Sequence, residues 1–212
     1  MIAGRGRFVT FEGVDGAGKS TQLRLLAARL RAAGRAVVET REPGGSPGAE
    51  AIRALLVEGE PGRWSAETEL LLFNAARRDH VERTVRPALD RGADVLCDRY
   101  ADSTRAYQAA GRGADPALVD DLHARVIGLD PDLTLILDLD PERTGPRIAS
   151  RSGAAERFER FGLPFQRALR EAYRAIAAAH PDRCVLIPAE GEAEAVAARV
   201  AAVVAERPGA PE

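Results

Sequence analysis

The chain has 212 residues, 45% hydrophobic and 29% charged, enough for one domain with a substantial core. A net charge of −2 gives no basic excess for nucleic acid or a membrane surface, and no run approaches the ~18 apolar residues of a membrane span. Arg5 and Arg7 precede only a short apolar run, so no secretory leader is indicated, and Cys97 and Cys184 lie far apart in apolar segments, which reads as two buried free thiols in a reduced, cytoplasmic protein.

Strand and helix alternate from end to end. Arg7–Glu12 reads as a first strand, Gly13 to Lys19 as a Gly-rich turn, and Ser20–Ala33 as a helix with Leu23, Leu26, Ala27 and Leu30 on one face, stopped by Gly34. Ala36–Thr40 is a second strand, closed by the turn Glu42-Pro43-Gly44-Gly45. Helices follow over Pro47–Val57 and Ser65–Arg91, the second long, with a break expected near Pro87. Ala93–Asp98 is a third strand. Asp115 and Pro116 read as an N-cap and first helical residue, opening a helix to about Ile127. Asp132–Asp138 is a fourth strand, apolar enough to be central, and Cys184–Ile187 a fifth, between helices over Phe158–Ala179 and Gly191–Glu206. This alternation predicts an α/β fold of three layers, a parallel five-stranded sheet with helices on both faces, and the Gly-rich turn from Gly13 to Lys19 between its first strand and helix makes that the P-loop NTPase arrangement. It reads as one domain over 1–207, with a frayed tail over 208–212. The arginines, interleaved with Asp and Glu, read as a solvated surface, and His80, His123 and His180 as helix-surface residues.

Gly13-Val14-Asp15-Gly16-Ala17-Gly18-Lys19-Ser20 fits the phosphate-loop pattern, with a strand before it and a helix after it. Glycines let successive N–H groups turn inward around a phosphate, and the helix N-terminus adds unpaired donors and positive dipole. Lys19 is expected to bridge the β- and γ-phosphates of ATP, and the Ser20 hydroxyl to bind Mg²⁺. Lys19 is also the only lysine; the other 29 basic residues are arginine. A compact ammonium fits a narrow loop where a planar guanidinium would displace phosphate or backbone. The motif establishes nucleotide binding without naming an acceptor.

Other motifs bear on the acceptor. They are Phe11 through Thr21, Thr40 through Gly45, Leu72-Phe73 with Arg77, Asp98-Arg99-Tyr100, and Ser103-Thr104 with Ala106-Tyr107-Gln108. In this order, over nearly the whole chain, they resemble the thymidylate kinase family, of the bacterial type. The resemblance implies transfer of the γ-phosphoryl group of Mg²⁺–ATP to dTMP by a cytoplasmic homodimer. It implies that Phe73 stacks on the thymine ring and that Arg77, four residues on, approaches base and phosphate. It places Asp98 near the Mg²⁺–phosphate region and Arg99 between donor and acceptor phosphates. Thr104 and Gln108 correspond to residues that bond the thymine edge, Tyr107 to one that crowds the sugar 2′ position, and Asp15 to a carboxylate near the 3′-hydroxyl. Arg53 matches an arginine that helps hold the dTMP phosphate, Pro43 is implied to shape the wall near the thymine methyl, and Glu42 beside it is implied to belong to the substrate site. Adenine is implied to lie near a lid and the Ala189–Gly191 loop.

The resemblance implies a catalytic arginine in either the phosphate loop or a lid; no variable position of the loop is basic, so the lid, about residues 143–157, is expected to supply it. Arg151 is favoured, then Arg147. Gly145 and Pro146 depart from the family's continuous helix there and predict a restart or kink. Two other readings stay open on the residues alone: another small P-loop kinase, and a regulatory NTP-binding switch with no small acceptor.

Overall fold

The computed structural model describes residues 5–60, 62–144, 158 and 161–207. Five strands form one parallel sheet in the order β2-β3-β1-β4-β5: β1 Phe8–Glu12, β2 Val37–Arg41, β3 Asp94–Asp98, β4 Leu133–Asp138 and β5 Cys184–Pro188. Composition explains the order. Every residue of β1 is buried, and β4 is buried up to Asp138, as expected of central strands covered on both faces. β2 carries Glu39 and Arg41 and stays partly exposed at the edge.

The described helices are α1 Lys19–Ala32, α2 Pro47–Val57, α3 Ala66–His80, α4 Arg86–Asp90, α5 Ala101–Thr104, α6 Pro116–Leu122, α7 Gly162–Ala179 and α8 Ala193–Glu206. Local chemistry sets their starts. The Ser65 hydroxyl accepts from Thr68 N at 3.1 Å at the head of α3, and the Asp115 carboxylate accepts from Ala117 N at 2.9 Å at the head of α6. The two-residue period of β1 sorts its side chains between two cores. Val9 and Phe11 join Leu23, Leu26, Leu135, Tyr173 and Val196 on one face, while Phe8 packs with Val85, Leu89, Tyr100 and Ile127 on the other. Because β1 lies between β3 and β4, the chain leaves its carboxyl end at the point where strand order reverses, where open α/β sheets form their binding crevice.

Four expectations need correction. The break near Pro87 is absent: α3 runs through a π-helical stretch, Val81–Val85, into α4, and Pro87 follows directly after that stretch. The last long helices start later, at Gly162 and Ala193. A helix that the periodicity did not reveal occupies α5 and a π-helical continuation, Arg105–Gly111. The arginines do not all lie at the surface, and neither do the histidines: Arg77 and Arg183 make buried ion pairs, Arg99 a half-buried one, His80 is fully buried and His123 nearly so. Both cysteines are buried free thiols, as expected.

Candidate functional site

The crevice begins at the phosphate loop. Gly13 has φ 129°, and a Cβ there would lie 2.5 Å from the carbonyl oxygen of Leu137, so the loop can pass β4 only without a side chain. Gly18, at φ 99°, turns the chain into α1. Val14 and Ala17 put their side chains into the core and leave only backbone for a ligand. Lys19 is buried and donates to the carbonyl oxygens of Gly13 at 3.1 Å and Val14 at 3.0 Å. Burial, then the nearby Arg99 guanidinium, lowers its pKa to about 8. The Ser20 hydroxyl hydrogen-bonds the Asp98 carboxylate at the end of β3, which brings together the two residues expected at the metal; Thr21 follows in α1, its N–H bonded to Gly18 O.

Arg99 joins this loop to the opposite wall. Its backbone is left-handed, φ 71°, a conformation that non-glycine residues seldom adopt. One terminal nitrogen donates to the Asp15 carboxylate at 2.6 Å and the Tyr107 hydroxyl at 3.0 Å. The other donates to Gly13 O at 3.2 Å, the Ser103 hydroxyl at 3.0 Å and the Tyr173 hydroxyl at 3.1 Å. The Tyr107 hydroxyl also donates to Asp15, at 3.1 Å. Burial works to raise the Asp15 pKa, but Arg99 and Lys19 outweigh it and hold the carboxyl down at about 2. Three residues expected near the phosphates and sugar thus form one bonded cluster.

The far wall is built by α3, the turn after β2, and the helix that starts at Ala101. Arg77 is buried, with Nε on Glu42 Oε2 at 2.7 Å and one terminal nitrogen on Tyr100 O at 3.1 Å and Thr104 Oγ1 at 2.9 Å. Glu42 also bonds His80 Nδ1, at 2.9 Å, and His80 Nε2 lies 2.7 Å from Thr40 Oγ1. Burial pushes the Glu42 pKa up, but Arg77 and His80 more than reverse this, so the carboxyl titrates below its ordinary range. The Glu42–Pro43 peptide is cis, and Arg53 on α2 donates to Pro43 O at 2.8 Å. Gln108 is buried and gives its amide N–H to Glu69 at 3.3 Å. Phe73 lies between this wall and Phe158, ring centroids 6.1 Å apart and tilted by 46°, and Phe158 meets Tyr107 edge-on at 5.6 Å.

Arg147, Arg151 and the Gly145-Pro146 departure lie outside the described residues, and so does nearly all of the expected lid. At its near end Arg143 pairs with Glu190 at 2.9 Å, in the loop expected near adenine. Sequence reasoning missed Glu12, Tyr173, His80 and Glu69, all fully or almost fully buried behind the visible motifs. Only Glu12 left a trace, as a carboxylate closing a strand that is otherwise apolar or Thr.

The family model for thymidylate kinase matches residues 11–200. A thymidylate kinase of Dinoroseobacter shibae is 59% identical over 197 residues, 93% of this chain and 95% of its own length. One from Jannaschia sp. is 56% identical over 200 residues, 94% of this chain and 96% of its own. Among solved structures, the thymidylate kinase of Ehrlichia chaffeensis superposes with a TM-score of 0.77 at 36% identity, covering 95% of this chain and 99% of that one.

Proposed function

The chain belongs to the thymidylate kinase family, and on that premise we infer how its crevice divides the reaction between two walls. The enzyme transfers the γ-phosphoryl group of ATP to dTMP, giving ADP and dTDP. The observation that carries the division is the position of Arg99, bonded at once to Asp15 of the phosphate loop and to Tyr107 of the far wall.

In this reading the loop from Gly13 to Thr21 takes the phosphates of ATP on its backbone N–H groups. Lys19 leaves the two carbonyls it now holds and turns to the β- and γ-phosphates. The dTMP base lies against Phe73, its edge on Thr104 and Gln108, with Glu42 and Pro43 shaping the wall near the methyl. Tyr107 and Asp15 border the sugar, and Arg53, Arg77 and Arg99 hold the phosphate. A dTMP phosphate oxygen then bonds to the γ-phosphorus as the bond to the β-bridging oxygen breaks, and ADP leaves with the electron pair. The acceptor is already an anion, so no base has to remove a proton. Positioning and charge neutralisation supply the rate.

The Ser20 hydroxyl and the Asp98 carboxylate meet at the loop mouth, and hard oxygen donors of this kind suit Mg²⁺. Among the described residues no group of three or more His, Cys, Asp or Glu side chains could cage a metal, so a cation held by Ser20 and Asp98 would complete its shell with phosphate and water, as Mg²⁺ usually does. Bound there, it would neutralise charge on the phosphates. A homodimer, a single catalytic domain over 1–207 and a cytoplasmic location belong to the same proposal; no described helix is long and apolar enough to cross a membrane.

The test follows ADP release with Mg²⁺–ATP and, in turn, dTMP, dUMP, dCMP, dGMP, AMP, UMP or no acceptor. Strong preference for dTMP, with near silence when no acceptor is offered, is the expected result. Turnover equal or better with another nucleotide would overturn the assignment of Phe73, Tyr107 and Gln108. Arg151, then Arg147, is proposed to meet the transferring phosphoryl group. The Ala variant of the correct one should lose on the order of 10³-fold in kcat with little change in ATP affinity, and full turnover in both variants removes the proposal.

A further inference from the structure

Glu12 is fully buried at the end of β1 and takes no part in the reaction as derived above. Its carboxylate gathers four donors. Oε1 accepts from the backbone N–H of Tyr100 at 2.7 Å and of Ser103 at 3.2 Å. Oε2 accepts from the Ser103 hydroxyl at 2.6 Å and the Tyr173 hydroxyl at 3.1 Å. The same two hydroxyls accept from one terminal nitrogen of Arg99, at 3.0 and 3.1 Å. They lie 3.0 Å from each other.

A proton count fixes the direction of these bonds. Each hydroxyl has one hydrogen and two lone pairs. While Glu12 is ionised, both hydrogens point to it, and the lone pairs are left for the guanidinium. A neutral amide or a protonated carboxyl in the same place offers hydrogen where the hydroxyls now donate. At least one hydroxyl must then turn its own hydrogen toward its partner or toward Arg99, which can only donate. Glu12 controls the backbone as well. Its Oε1 ties down Tyr100 and Ser103, the residues just beyond the left-handed turn at Arg99, while Phe11 O holds Arg99 N at 2.9 Å. A left-handed non-glycine residue is strained and persists only where its surroundings over-determine it.

We propose that Glu12 is a positioning residue for phosphoryl transfer, its carboxylate orienting the Ser103 and Tyr173 hydroxyls as acceptors and so fixing the Arg99 guanidinium between the two phosphates. The inference rests on the assignment of Arg99 made under Proposed function. Glu12 touches neither substrate and acts only through Arg99.

Titration gives a readout that a purely structural contact lacks. Burial, reinforced by Asp102 and opposed by Arg99, raises the Glu12 pKa to about 7. The other charged or titratable groups that feel Glu12 are Lys19 on α1, Arg77 on α3, Cys97 on β3, Tyr107 after α5, Tyr173 on α7 and Cys184 on β5. The tyrosine and cysteine pKa values are all raised, which keeps those groups neutral near pH 7.

The experiment measures kcat and both KM values for the wild type, Glu12→Gln, Tyr173→Phe, Arg99→Ala and the double variants Glu12→Gln/Arg99→Ala and Tyr173→Phe/Arg99→Ala, with urea unfolding of each. A misplacement of the order of 1 Å costs about 100-fold, so Glu12→Gln should lose about that factor in kcat with little change in KM for ATP. Its loss should vanish on the Arg99→Ala background. The wild-type kcat should fall as pH drops through about 7, and Glu12→Gln should lack that limb, keeping only the limb from the substrate's own phosphate ionisation, near 6. Tyr173→Phe keeps the ring packing and the charge on Glu12. It should lower kcat about 10-fold with the same dependence on Arg99, and it carries the test if Glu12→Gln does not fold. If Arg99→Ala turns over normally, the assignment of Arg99 falls, and this inference with it. If Arg99→Ala is slow while folded Glu12→Gln, or failing that Tyr173→Phe, matches the wild type, the inference falls alone. Equal losses from Glu12→Gln with and without Arg99 also overturn it.

Discussion

Arg77 has committed its Nε and one terminal nitrogen before any substrate arrives. Glu42, Tyr100 O and Thr104 hold it in one buried pose, and His80 secures Glu42 from behind. An arginine so held can meet an anion without first losing rotamer freedom, the kind of pre-organisation that favours positioning. The arrangement is also a stability liability. Removing one partner of a buried pair leaves a charge with no compensation, at a cost of about 3–5 kcal/mol. Glu42→Ala should therefore lower the urea midpoint strongly and raise KM for dTMP, while KM for ATP stays near the wild-type value. A midpoint within error of the wild type would mean that Glu42 does not carry the wall.

At the scale of elements, α5 is held to the sheet by Asp102. Its carboxylate takes both terminal nitrogens of Arg183, just before β5, at 2.6 and 2.9 Å, and Arg105 one turn on at 3.0 Å. Asp102→Ala would leave Arg183 buried and unpaired, so a loss of about 3 kcal/mol in unfolding free energy is expected, read by urea denaturation. The helix that begins there was the element least legible in the sequence. Its residues, Ala101 to Gly111, mix small, polar and apolar side chains without a clean period, because it is anchored by ion pairs and buried polar groups as well as by an apolar stripe. The phosphate loop, by contrast, could be read almost outright, since only glycines at those positions and a lysine at the helix start satisfy its geometry. Strands β1, β3 and β4 were equally plain, being buried apolar runs. His80, His123 and Glu12 are illegible in the sequence for one shared reason. A buried polar residue is explained by its partner, and the partners lie 38, 7 and 91 residues away in Glu42, Asp130 and Ser103.

For the whole molecule, Glu12 and Asp15 set opposite pH responses in separate ranges. Asp15, lowered from 3.8 to about 2, contributes stability that is present above its unfolded value and lost as pH falls through about 2. Glu12 is raised from 4.5 to about 7, so between those values the folded chain holds a proton that the unfolded chain has released. Stability from this site is therefore greatest below 4.5 and declines as pH rises through about 7, by on the order of 3 kcal/mol. The difference in unfolding free energy between wild type and Glu12→Gln should shift by that amount from pH 4 to pH 8, and a pH-independent difference would refute the assignment. Activity should rise over the upper part of the range in which this stability declines, so the enzyme works best with a charge its fold pays to hold. Lys19 has a further consequence, for chemistry outside the reaction. It is the chain's only side-chain amine, its pKa is lowered to about 8, and it lies in the floor of the nucleotide loop. An amine-reactive reagent therefore has one side-chain target in the chain, and in the reading given under Proposed function a modification there would remove the charge that meets the ATP phosphates. Peptide mapping after an amine-reactive ester should show one internal adduct, with turnover falling in proportion to its yield and ATP protecting both; the protein carries a single-address reporter of whether its own loop is occupied.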